Sequence, residues 1–166
     1  MCLRILRSSL LLTAIGAMCG PLLAQQGVVT LRTLSIDTAI TIAQATLREC
    51  RDKGFATAVV VVDRAGQVLV TLRDEKAPPQ TAEMARRKAY TAHLFRGSTL
   101  DFARNTEGNG GRAAQRDVAD VLALGGGVPI YSRMELIGGV GSSGSSPEQD
   151  DACSRAGIAK VAERLN

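Results

Sequence analysis

The densest chemical signal in the chain is glycine: Gly139, Gly141 and Gly144 stand in G-x-G-x-x-G spacing within IGGVGSSGSSPEQD, residues 137–150. In a dinucleotide site such glycines open a tight turn and let backbone amides at a helix start approach a pyrophosphate. That chemistry also needs a parallel βαβ unit and an acid about 20 residues further on for the ribose. Here the 22 residues that follow Gly144 read as one helix, which leaves no place for the second strand. Glu148, Asp150 and Asp151 open that helix and would repel the phosphate that its N-terminus could otherwise attract. The glycines are expected instead in or beside a strand, where side chains would block a close backbone contact or a ligand.

Other reactive constellations are thin. His93 is the single histidine of the chain, and no nucleophile-elbow pattern precedes it to complete a Ser-His-Asp arrangement. One histidine and the two cysteines beyond residue 24, Cys50 and Cys153, do not supply the three or four ligands of a zinc site. Asp63, Asp74 and Glu75 fall at strand ends, where carboxylates are expected to be solvated rather than poised for acid-base work. Neither Cys50 nor Cys153 has the C-x-x-C partner or adjacent histidine that makes a thiol reactive.

Residues 1–24 are expected to be a secretory signal peptide: Arg4 and Arg7 precede an apolar stretch, and Ala24 closes a cleavage site before Gln25. Pro21, Gly16 and Gly20 interrupt the run that a membrane span would need. The mature chain, residues 25–166, is then a single domain of 142 residues in the periplasm or outside the cell. Removing two arginines and no acids from 20 basic and 16 acidic residues leaves a net charge of only +2. With five aromatic residues in all, no basic stripe interleaved with stacking residues points to nucleic acid. In an oxidising compartment Cys50 and Cys153 can bridge if the helices that carry them pack antiparallel; otherwise they are two inert buried thiols.

The elements that must position these residues follow from periodicity. Ser35 caps a helix whose apolar stripe is Ile36, Ala39, Ile40, Ala43, Leu47 and Cys50, and Gly54 ends it. ATAVVVVD (56–63) and VLVTLRD (68–74) form a hairpin across R-A-G-Q. Pro78 and Pro79 open a second helix to about Arg96, with Ala82, Ala85, Ala89 and Ala92 inward and Arg86, Arg87 and Lys88 on a solvated face. A short helix at 100–104 leads into NTEGNGGRAAQRD, a polar loop with little reason to order by itself. VLAL, GVPIY and MELIGGV then read as strands and residues 147–165 as a last helix. The order predicts an α+β fold with a mainly antiparallel sheet of about five strands and helices packed on it.

RRKAYTA (86–92), ALGGGVPI (123–130) and IGGVGSSGSSPEQDDAC (137–153), with VVVVDRAGQVLV upstream, resemble the GlcG/HbpS family of haem-binding-type proteins, related to the PduO C-terminal domain. The resemblance spans essentially the whole mature chain. It implies a profilin-like five-stranded sheet flanked by helices, assembly into homo-oligomers, and haem or a related tetrapyrrole as ligand. A haem site needs an axial ligand, an apolar slot and cations for the propionates. On this chain those parts fall to His93, helped by Arg86, Arg87 or Lys88, with Tyr90, Met84 and Met134 as other candidate ligands. The alternative for His93 is a half-buried ring bonded to a backbone carbonyl. Gln80 departs from the family pattern, which often has His there. The expected site lies between the second helix and the glycine-rich strands, where small residues on both walls leave room. Competing functions are an enzyme or enzyme accessory for a small organic acid or cofactor, and a structural interaction module.

Overall fold

The structure is a computed structural model that describes residues 27–166, so the expected signal peptide lies outside the described residues. The unit Leu31–Asn166 holds all the elements. They follow in the order α1 (Ile36–Asp52), β1 (Ala58–Val62), β2 (Val68–Arg73), α2 (Gln80–Phe95), α3 (Thr99–Asn105), β3 (Gly127–Ser132), β4 (Glu135–Ser143) and α4 (Pro147–Ala159). The fold is α+β. Among the described residues no helix is long and apolar enough to cross a membrane.

Among the described residues four strands, all antiparallel, form one sheet in the order β2-β1-β4-β3. The central strand β1 is AVVVV and is buried on both faces, as its unbroken β-branched run requires. Val59 and Val61 face the larger core, shared with α1, Val128, Ile130 and Val140. Ala58, Val60 and Val62 face the smaller one, closed by Ala85 and Ala89 of α2. The sheet is therefore covered on both sides.

The fifth expected strand is absent. VLAL, residues 121–124, runs as irregular chain because its polar groups are claimed by α2. The Leu122 amide donates to Thr91 Oγ1 (2.9 Å), and the Val121 carbonyl accepts from Arg87 Nη2 (2.5 Å). The polar loop before it is more ordered than its composition predicts: Ala113–Asp117 forms a 3₁₀ turn, and Arg116 ties it to Thr106 Oγ1 at 2.9 Å and to the Ala103 carbonyl at 2.7 Å.

Helix α1 begins where expected, with the Ser35 hydroxyl accepting from the Thr38 amide. Its buried face is Ala39, Ile42, Ala43, Thr46 and Cys50, so the expected stripe is rotated and Ile36 and Ile40 stay exposed. The cause lies in α4. A Cβ built on Gly157 would sit 1.9 Å from Thr46 Oγ1 and 2.9 Å from the Ile42 carbonyl, so the two helices meet where glycine leaves room. One turn away the Cys50–Cys153 disulfide joins them, with Cα atoms 5.6 Å apart. Both cysteines are fully buried, and closing a loop of 103 residues contributes on the order of 4 kcal/mol.

On the other face the glycines do the same for α2. A Cβ on Gly141 would lie 2.2 Å from the Ala85 carbonyl oxygen and 2.6 Å from the Ala89 nitrogen; on Gly127, 2.2 Å from the Lys88 carbonyl; on Gly139, 2.7 Å from the Ala89 carbonyl. The first two glycines of the G-x-G-x-x-G run, Gly139 and Gly141, thus seat a helix backbone, while Gly144 packs against Ala56 and Thr57. The room expected between α2 and these strands is filled by the helix itself.

A methyl group at this seat must push backbone against backbone. Gly141→Ala is expected to lower unfolding free energy by about 3 kcal/mol or more, whereas Gly110→Ala, whose Cβ meets nothing within 4 Å, is expected to change it by less than about 0.5 kcal/mol. Urea denaturation of the two variants checks the contrast.

Candidate functional site

Because α2 lies flat on the sheet, its side chains divide by position. Lys88, at the middle of α2, points into the interior and is 1% exposed. Its ammonium donates to Asp150 Oδ2 at 2.8 Å and to the Ser142 carbonyl at 3.0 Å. Burial pushes the Lys88 pKa down, and Asp150 opposes that shift. Asp150 in turn accepts at Oδ1 from the Ser145 hydroxyl (2.7 Å) and amide (3.2 Å). The run of basic residues suggests that Lys88 shares a solvated face with Arg86 and Arg87; its partner on α4, 62 residues away, explains why it turns inward.

The two arginines are engaged at the surface. Arg86 bonds Glu83 through Nε and Nη2, both at 2.8 Å, and Asp120 at 2.7 Å; the Glu83 carboxylate beside it holds its pKa well above the usual arginine range. Arg87 donates to the Asp120 and Val121 carbonyls. Asp74, expected to be solvated, is buried. Its carboxylate accepts from the Lys76 amide (3.0 Å) and Arg51 Nε (2.8 Å), and these hydrogen bonds, the amide's first, hold it below the usual carboxylate range.

His93 sits one turn beyond Ala89, where α2 overruns the sheet. Here Arg64, His93, Leu94, Arg96, Met134, Glu135 and Leu136 line a cavity of about 360 Å³. Three turns of chain converge on it. The β1–β2 turn is closed by Asp63, whose Oδ1 accepts from the Ala65 and Gln67 amides (2.8 and 2.9 Å). Its Gly66, at φ +75°, tucks under α2: a Cβ there would lie 3.2 Å from the Tyr90 ring and 3.4 Å from His93 Cδ2. Tyr90 and His93 therefore share this end of the helix, away from Arg86, Arg87 and Lys88. The α2 C-cap is Arg96 in the left-handed conformation, φ 58°, and its carbonyl accepts from the Tyr131 hydroxyl at 3.0 Å. The β3–β4 turn brings Met134 and Glu135, and Arg64 Nη1 donates to the Glu135 carboxylate and to the Leu136 carbonyl.

His93 is the unsatisfied member of this group. Its Nδ1 is buried with no hydrogen-bond partner, so the backbone-carbonyl bond expected of a structural histidine is not made. Burial lowers its pKa; Asp63 pulls it back up, and Arg96 and Arg64 push it further down. The ring is therefore neutral at neutral pH, the form that can give a lone pair to a metal. Arg64 and Arg96, the cations that do reach the cavity, come from turns that helical periodicity says nothing about. The R-A-G-Q turn and the Arg96–Gly97 stop were the available signals. Among the described residues no group of three or more His, Cys, Asp or Glu is placed to hold a bare metal ion.

Residues 34–159 match the family described as haem degrading protein HbpS-like. The chain belongs to the HbpS-like family. Within it, protein GlcG of Escherichia coli strain K12 is 31% identical over 110 residues, which cover 66% of this chain and 81% of that protein. A double mutant of Streptomyces reticuli HbpS is 32% identical, with a TM-score of 0.77 over 84% of this chain and 95% of that one. A structure described as a PduOC:heme complex is 27% identical, with a TM-score of 0.69 over 78% and 96%. The chain shares the fold of these two solved structures.

The buried pair gives a direct check on how α2 is held. Lys88→Met strands the Asp150 carboxylate and is expected to cost about 3–5 kcal/mol, while Lys88→Met combined with Asp150→Leu recovers most of that loss. Chemical denaturation of both variants measures it; a single-variant cost below about 0.5 kcal/mol, the surface value, contradicts the buried placement.

Proposed function

We propose that the chain is an exported haem-binding protein whose ligand site is the cavity at the end of α2. The observation that carries this reading is His93, which lines a cavity of about 360 Å³ and whose buried Nδ1 has no hydrogen-bond partner. The donor set suits haem. His93 would hold the iron, Leu94, Leu136 and Met134 would lie against the macrocycle, and Arg96 and Arg64 would receive the propionates, while Tyr90 would steady the histidine's end of the helix. When bound, haem supplies the redox and ligand-binding chemistry of its iron. The protein's own residues bind it, orient it and set the charge around it. Family membership and the heme-complex relative support the choice of ligand.

Export is part of the proposal, supported by a buried Cys50–Cys153 disulfide that persists in an oxidising compartment. Homo-oligomeric assembly is included on the resemblance alone. A second reading, a small organic acid as ligand, is favoured by the two arginines at the cavity, Arg64 and Arg96.

Hemin titration of the purified protein distinguishes them. A saturable Soret shift at one equivalent is expected, lost in His93→Ala and weakened about tenfold, or ~1.4 kcal/mol, in Arg96→Ala. Arg86→Ala is expected to bind as the parent does. A shift that never saturates, or one unchanged in His93→Ala, removes haem from this site and leaves the organic acid.

A further inference from the structure

The tip of the β3–β4 hairpin carries residues that neither turn chemistry nor burial calls for. Ser132 pairs with Glu135, so Arg133 and Met134 are the two central residues of the turn. Arg133 lies at φ 56°, a left-handed position that two-residue hairpin turns give to glycine, asparagine or aspartate. Backbone strain of this kind collects at positions kept for binding. Met134 is 95% exposed, more than any other large apolar side chain among the described residues.

The surroundings of the tip repeat this combination of exposed apolar surface and arginine. Tyr131, exposed on β3 just before the tip, donates its hydroxyl hydrogen to the Arg96 carbonyl at 3.0 Å. Arg96 ends α2, and Leu94, two residues before it, is exposed as well. Leu94, Arg96 and Met134 line one cavity, so these side chains share one end of the molecule. Among the described residues neither Arg96 nor Arg133 forms an ion pair. The acids beside them are engaged: Glu135 accepts from Arg64, and Asp63 Oδ1 holds the amides of its own turn. The patch is therefore three exposed apolar side chains beside two unpaired arginines.

A soluble acidic partner accounts for the arginines and leaves the exposed methionine unexplained. An anionic bilayer uses both: guanidinium groups meet lipid phosphates, the apolar tip enters the acyl boundary, and a tyrosine lies at headgroup level. We propose that this end of the molecule is a docking surface for anionic phospholipid membranes, with the Arg133–Met134 tip entering the interface. It does not depend on what the neighbouring cavity holds. Attachment is peripheral and sensitive to salt, because one short apolar tip does not anchor a protein without its charges.

Residues 25–166, which hold every element of the fold, are sedimented with vesicles of phosphatidylcholine alone and of phosphatidylcholine with phosphatidylglycerol. Binding is expected to the second only, and is expected to fall as salt is raised. The chain contains no tryptophan, so Met134→Trp sets a single reporter at the tip, whose emission is expected to shift to the blue on anionic vesicles. Arg96→Gln is expected to weaken partitioning about fivefold. Arg133→Gly is expected to weaken it by about the same factor while raising the denaturation midpoint, since glycine suits a left-handed turn; lost contact is thereby separated from lost fold. Arg48→Gln, on α1 beside a different surface cavity, is expected to bind as the parent does. No sedimentation with anionic vesicles, or binding with an unshifted emission, overturns the proposal. A blue shift produced by soluble poly-glutamate without vesicles also overturns it and assigns the patch to an acidic protein.

Discussion

The structure depends on one backbone contact, α2 laid directly on the bare strand positions Gly127, Gly139 and Gly141. Any side chain at these glycines would meet a helix carbonyl or amide at less than 3 Å. Such proximity lets alanines on the helix, Ala85 and Ala89, complete the small core with the valines of β1. Contact this short leaves no room for a ligand between α2 and these three glycines, and the His93 cavity lies where α2 runs off the sheet.

That geometry also sorts the charges. Mid-helix, Lys88 turns into the interior and finds a carboxylate, Asp150 at the start of α4. The pair, 1% exposed on each side, ties α2 to α4 across the edge of the sheet, while the disulfide ties α4 to α1. With these two cross-links the helices on opposite faces are held in register, and the end of α2 becomes a fixed platform for His93. Around it the turns bring Arg64, Arg96 and Met134. A rigid helix presenting one ligand to a ring of turn residues is a common arrangement for binding sites, since turns vary without disturbing the core.

Much of this was legible in the sequence. Caps and breakers placed α1, α2 and α4, and the β-branched run placed β1. Cys50 and Cys153 pair as antiparallel helices allow. What could not be read has a common cause: it depends on partners far along the chain. Lys88 looks solvated until Asp150 is beside it. VLAL looks like a strand until Thr91 and Arg87 take its amide and carbonyl. Ile40 looks buried until Gly157 draws α4 to the other side of α1. The spacing of small residues correctly announced close packing between helix and strands, but the same smallness suggested a cleft, and only the distances decide between a cleft and a seat.

The most direct measurement is a crystal structure of the hemin-loaded protein with anomalous diffraction recorded at the iron edge. Binding at the end of α2 predicts a single iron peak beside the His93 imidazole, between that helix end and the Arg133–Met134 turn, with Gly139 and Gly141 still in contact with α2. An iron peak between α2 and β4, or one bound elsewhere with His93 uninvolved, contradicts it.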